Sequence, residues 1–339
     1  MKNFADAVKL FFVIAGAVLG AGFLSGGELV GFFKSKSVSC LTVSGALFFI
    51  GFAFIGAKQD GFTKRALIIA GVVFSSAMLT ALDEISWETG VIKCFPAVSV
   101  LSIIAFHFWL SNSVKKLEKA NYILIPFAVL VVVAAAFCAE PVGAHRVNTG
   151  VKDGVNAVLY SCMNLFVALP SVSIAARGKN KSARVIAALT FAVFFVALAY
   201  IILRVSPSTA LPLIDMATGT NFYPFIVIAV FIGSFTSLLC CLYPLKNLIS
   251  ERTAGKKRCN MYCFLLYVLL FLLSRAGIAA IIKYCYPLVG ALGLFSIVKS
   301  FFGIKRKAEG DTMEKRSALC RERKRPKSKN SPKKNTATI

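Results

Sequence analysis

The chain has 339 residues with a formal net charge of +24, 57% hydrophobic and 16% charged residues, and a mean hydropathy of +0.74. An ordinary soluble domain carries fewer apolar and more charged side chains, so composition excludes that class and points to a polytopic membrane protein. Apolar runs of about 20 residues, enough to cross lipid, recur from end to end between short polar or glycine-bearing joints.

The first run contains the most informative stretch, Gly16 to Phe33, which carries six glycines and one carboxylate. Each glycine inside a helix costs about 1 kcal/mol relative to alanine, and Glu28 adds about 2.5–3.5 kcal/mol at the bilayer centre. In lipid, backbone leaves the helix only where protein or a watery cavity satisfies its polar groups. A glycine-broken span therefore predicts a site for a small solute rather than a plain anchor.

Ten spans follow in order, near residues 9–33, 38–57, 66–82, 94–112, 121–139, 152–174, 184–205, 223–248, 260–282 and 285–303. The third is short and the ninth contains Arg275. With the N-terminus inside, the inner joints hold fifteen Lys or Arg (58, 64, 65, 115, 116, 119, 177, 179, 181, 184, 246, 252, 256, 257 and 258). The outer joints hold seven (34, 36, 93, 146, 152, 204 and 283). This bias supports cytoplasmic N- and C-termini.

Two domains are predicted: a transmembrane core over 1–304 and a disordered cytoplasmic tail over 305–339. The tail has thirteen basic and four acidic residues. Its few large apolar side chains cannot build a core. A run such as Arg321–Lys327 could be read as nucleic-acid binding, but its position beside the last span puts its charges at anionic headgroups. The expected macromolecular partner is the lipid bilayer, with no nucleic acid.

Lys2 and Lys9 before an apolar run resemble a secretion signal, but the run is too long and lacks a convincing cleavage site, so it is expected to be retained. The ten cysteines are scattered without a CxxC pair, and the default reading is small buried filler. Ser25 would need a histidine base to act as a nucleophile. Only His107, among aromatic residues of the fourth span, and His145, in an outer joint, are present. No enzyme, cofactor or metal site is expected.

The segment AGAVLGAGFLSGGELVGFF, Ala15 to Phe33, resembles the first helix of the YkvI-like bacterial membrane proteins, with their Gly-Ala-Gly-Phe-small-Ser-Gly run followed by an acidic or amide residue. Those proteins look like members of the amino acid, polyamine and organocation superfamily, which has the LeuT-type fold. The resemblance implies an all-α protein of the bacterial cytoplasmic membrane with about ten spans in a 5+5 inverted repeat. Spans one and six would both be broken and face each other across the substrate. Span six offers Asn156, Ser161, Asn164 and Pro170 as disrupting or lining residues; the alternative is a polar face packed on its neighbours.

By the same resemblance, the helix unwinds around Ala21 to Gly26 and a substrate carboxylate meets the backbone of Ala21, Gly22 and Phe23 with help from Ser25. Its ammonium meets carbonyls near Gly20, Tyr160 and Asn164. The physical basis is unpaired amides and the positive dipole end of the half-helix after the break. A sodium site is implied at Gly16, Leu19, Gly233, Thr236 and Ser237, all hard oxygen ligands, although Ser and Thr are also common packing residues. Glu28 reads either as a proton carrier or outer gate paired with Arg275 or Lys283, or as a residue capping the half-helix.

These readings converge on a secondary transporter of a small zwitterion, an amino acid first, coupled to sodium or protons. The rival class is a non-transporting receptor or sensor on the same fold, with the basic tail as its output.

Overall fold

The computed structural model describes residues 2–33, 37–54, 61–88, 90, 96–110, 114–139, 150–205, 212–253, 255–277 and 281–299. The basic tail from 305, His145 and the joints with Lys34, Lys36, Lys58, Lys93 and Arg146 lie outside the described residues. Residues Met1–Ile297 form one compact unit.

The first apolar run is three helices in succession: α1 (Lys2–Val18), α2 (Ala21–Leu24) and α3 (Gly27–Phe32). Then come α4 (Val38–Phe54), α5 (Gly61–Glu88), α6 (Ala97–Ala105) widening into a π turn at Phe106–Leu110, α7 (Val114–Cys138), α8 (Val151–Ala175) and α9 (Lys181–Val205). The short α10 (Pro212–Ala217) precedes α11 (Tyr223–Arg252) and α12 (Lys256–Ser274). A second π turn at Ile281–Cys285 leads into α13 (Tyr286–Lys299). No strand occurs among the described residues, and six helices are long and apolar enough to cross a membrane. Val38–Phe54, Ala97–Phe108 and Tyr286–Lys299 are shorter apolar helices. By length and composition this is an all-helical, multi-pass membrane protein.

Helix α1 sits centrally, against α7, α8, α9 and α11. Helix α4 lies along α8 and α9, and α11 along α5 and α7. Between α4 and α9 a ring cluster fills the interior, with Phe48 5.7 Å from Phe191 and 4.8 Å from Phe195. Outward-facing Leu130, Val193, Phe264 and Leu272 are exposed, as lipid-facing side chains are. Small residues permit the closest crossings: a side chain at Gly293 of α13 would come within 2.6 Å of the Cys162 carbonyl on α8.

Three sequence expectations are corrected. The sixth run is not broken, since α8 is helical from Val151 to Ala175 with Pro170 inside it. Its polar side chains bond back to their own helix: the Ser161 hydroxyl donates to the Ala157 carbonyl at 2.8 Å, and Asn164 Nδ2 to the Tyr160 carbonyl at 3.1 Å. Helix α8 thus absorbs its polar groups locally and has no need to unwind.

The third run is long, not short, because Asp83 is accommodated inside α5. Its carboxylate accepts the Ser99 N–H at 2.9 Å, the Ser99 hydroxyl at 2.7 Å and Arg275 Nη2 at 2.6 Å. Arg275 in turn lies past the end of α12 rather than within it, over the Phe271 ring at 4.8 Å. The pair neutralises two charges that would each be costly alone.

The proline of α11 is handled the same way. Pro244 in α11 has no N–H for the carbonyl four residues back, that of Cys240, and the Ser171 hydroxyl of α8 donates to that carbonyl instead.

Candidate functional site at the first-helix break

The first helix loses its regular ladder where its glycines concentrate. Leu19 N–H still reaches the Ala15 carbonyl at 2.7 Å, but Gly20 N–H turns to Val18 at 2.9 Å. Ala21–Leu24, expected to be unwound, instead form the single helical turn α2, and then Gly26 adopts φ 84°, a left-handed conformation that glycine takes without a Cβ penalty. From Gly22 to Gly26 every residue is buried, so protein rather than lipid surrounds the irregular backbone. The Ser25 carbonyl accepts the Leu213 N–H at 2.9 Å, which makes α10 a cap over the break.

The residues predicted for a sodium ion converge at the crossing of α1 and α11. The Ser237 hydroxyl donates to the Gly16 carbonyl at 2.9 Å. A Cβ built on Gly233 would lie 2.9 Å from the Leu19 carbonyl oxygen, so the two chains touch there. The Thr236 hydroxyl is turned back to the Gly233 carbonyl at 3.1 Å.

The residues predicted for substrate are gathered less completely. Gly20 lies in the break beside Ser237, and Ala21 opens α2. Phe23 is buried 5.7 Å from Phe195. The Ser25 hydroxyl makes two long contacts of 3.4 Å, one to the Gly22 carbonyl and one from the Gly27 N–H. Tyr160 does reach the broken helix, its ring 5.3 Å from Phe32 and 5.2 Å from Phe33. Asn164 stays on its own helix, bonded to the Tyr160 carbonyl.

Glu28 changes the electrostatics expected of the site. Its buried carboxyl folds back over α2 and fills the space a side chain on Gly22 would need. The half-helix behind it, α3, has only six residues, so it offers little dipole for capturing a free anion. The expected partner Arg275 belongs to Asp83, and the side chain of Lys283 lies outside the described residues. Arg275 pairs with Asp83 at 2.6 Å, and Lys179 with Glu118 at 2.6 Å.

Sequence reading missed Tyr286 of α13. Its ring stacks on Phe74 at 4.7 Å and its hydroxyl stands beside the Glu28 carboxyl. Neither this hydroxyl nor that of Tyr160 completes a hydrogen bond of ordinary geometry. The only sequence signal was an aromatic residue before a proline at the start of the last run. Asn121 of α7 was also missed; its amide packs on Gly16, with Nδ2 3.4 Å from Cys240 Sγ.

Elsewhere, a groove of about 470 Å³ between α6 and α12 is lined by Ile104, His107, Phe264, Tyr267 and Phe271 and shares no residue with the break. His107 is packed there with its Nδ1 3.2 Å from the Tyr267 hydroxyl. No protein-family model matches the chain, and no curated protein is significantly similar to it.

Proposed function

We propose that the chain is a secondary active transporter of a small amine-bearing solute, amino acids being the first class to test. It works by sodium- or proton-coupled alternating access, with both termini in the cytoplasm. The observation that carries this reading is the double interruption at Leu19–Gly20 and Ser25–Gly26, buried in protein and capped by α10. Irregular backbone at membrane depth is tolerated where it serves a site.

The packing supports a 5+5 repeat as well. Numbering the apolar runs one to ten, exchange of each run with the one five later turns α1 against α9 into α8 against α4. It likewise turns α1 against α11 into α8 against α5, and α5 against α6 into α11 against α12. All six contacts occur. The contact of α1 with α7 has its counterpart where Gly290 of α13 meets Leu159 of α8.

At the crossing of α1 and α11 the donors are carbonyl and hydroxyl oxygens, the hard ligands an alkali cation prefers. Binding there would compete with the bond between Ser237 and Gly16, tying ion occupancy to the break. Glu28 offers a second, protonic route of coupling.

A thermal-shift screen of purified protein against amino acids, amines and nucleobases, with and without sodium, tests the reading. A cognate solute at 100 times its Kd stabilises the native state by about 2.7 kcal/mol. A blank across all three classes would overturn it.

A further inference from the structure

We propose that the pocket enclosed by α5, α11 and α12 binds one anionic glycerophospholipid, its phosphate held by Arg65, Arg252 and Arg258 and one acyl chain laid along the apolar walls. The inference rests on the membrane class of the fold and is independent of the transporter reading.

The three helices pack on one another pairwise and leave between them a pocket of about 380 Å³. Ile68 of α5, Leu245, Leu248 and Ile249 of α11, and Leu266 of α12 form its apolar walls, and Arg252 and Tyr262 line it as well. A glycine sets the register: a Cβ on Gly71 of α5 would meet Leu245 at 3.2 Å. From that contact, one turn toward the start of α5 reaches Ile68 and one turn toward the end of α11 reaches Leu248 and Ile249, and these share the pocket. The next turn on each helix brings Arg65 level with Arg252. Helix α12 begins at Lys256, just after α11 ends at Arg252, and lies against α11, so Arg258 stands at the same end, one turn beyond Tyr262. Each helix thus offers an apolar face that ends in an exposed arginine.

This arrangement matches a phospholipid in both halves. Guanidinium forks take phosphate oxygens in bidentate pairs, and basic pockets between spanning helices are where anionic headgroups bind. The Tyr262 ring is the amphipathic kind that sits at headgroup level. From Arg252 to Leu245 the pocket runs about 10 Å along α11, against about 15 Å for half the hydrocarbon core, so it reaches from the headgroups into one leaflet.

Charge selects the occupant. Glu251, the residue before Arg252, is exposed and is not part of the pocket wall. The chain's own tail, with thirteen basic and four acidic residues, is repelled by three arginines, and so is a second copy of a chain with net charge +24. Free phosphate leaves the apolar walls unfilled. A seated lipid also braces α12, the least buried of the six long apolar helices, against α5 and α11.

The test uses the full-length protein, stripped of lipid in mild detergent, titrated with dioleoylphosphatidylglycerol or dioleoylphosphatidylcholine and read by native mass spectrometry. One phosphatidylglycerol should be retained in preference to phosphatidylcholine, and glycerol 3-phosphate, which has no chains, should not displace it. The triple variant Arg65→Gln, Arg252→Gln and Arg258→Gln should weaken that binding about 100-fold, at about fivefold for each arginine near the surface. Arg252→Gln alone should cost about fivefold, which keeps the test open if the triple variant does not fold. Lys115→Gln, Lys119→Gln and Lys181→Gln together remove the same charge from α7 and α9 and should leave the affinity as it was. Leu266→Trp fills the pocket from a half-buried wall without changing any charge, and it should weaken the lipid as well. Any lipid held by the basic tail is common to the parent and every variant.

Equal retention of the two lipids, displacement by glycerol 3-phosphate, the same loss in the lysine and arginine variants, or full affinity in Leu266→Trp would each overturn the site. None of these results touches the transporter reading, which the solute screen decides.

Discussion

Gly233 is where the account can be tested by a single methyl group. A Cβ there would lie 2.9 Å from the Leu19 carbonyl oxygen, which is backbone, and would overlap Leu24 Cδ1. The end of the Leu24 side chain can rotate, but the Leu19 carbonyl cannot move without shifting the break itself, so Gly233→Ala carries an overpacking cost of about 1–3 kcal/mol. Against this stands the gain of replacing glycine inside a helix, about 0.5–1 kcal/mol. Gly154→Ala on α8 is the control, because nothing lies within 4 Å of its Cβ position and the substitution collects only the gain. The two variants should differ in apparent unfolding free energy in detergent by about 1–3 kcal/mol, with Gly233→Ala the less stable. Gly233→Ala should also lower solute-induced stabilisation, and Gly154→Ala should not. Equal stability of the two would refute the close crossing of α11 over the break.

Other substitutions probe the supports around the site. Ser171→Ala should orphan the Cys240 carbonyl and cost about 1–3 kcal/mol, whereas in a Pro244→Ala background the restored N–H takes that carbonyl and the same change should cost little, as chemical unfolding would report. Asp83→Ala should cost about 3–5 kcal/mol by removing the carboxylate that balances the Arg275 charge, and the double change Asp83→Asn with Arg275→Met should recover most of it in the same assay. Ser237→Ala removes the hydroxyl bonded to Gly16; if the crossing of α1 and α11 holds the coupling ion, solute binding should lose its sodium dependence, measured by thermal shift across a sodium titration.

Much of the fold was legible because membrane spans obey simple rules. Among the described residues each apolar run overlaps a helix, and the glycine-rich segment Gly16 to Phe33 is interrupted, though on either side of Ala21–Leu24 rather than through it. The errors have one physical origin. Polar residues in a span were read as ends or breaks when the structure satisfies them in place: Asp83 by Ser99 and Arg275, Ser161 and Asn164 by their own helix. Sequence spacing cannot announce a partner nearly 200 residues away, as Arg275 is from Asp83. The same limit hid Tyr286, whose importance comes from facing Glu28 across the fold. Gly16, Leu19, Gly233 and Ser237, which the resemblance alone implied, lie on one helix and its direct crossing and do meet there.

Counterflow in proteoliposomes tests the central claim most directly. Vesicles containing the full-length protein and loaded with an unlabelled solute that stabilises it should transiently accumulate the same labelled solute from outside, saturably and stereoselectively where the solute is chiral. Replacing Gly22 by Trp, which cannot share its space with Glu28, should abolish the overshoot in a protein that remains folded. Linear uptake that never saturates, or no uptake of any solute that binds, would contradict a carrier built on the broken first helix.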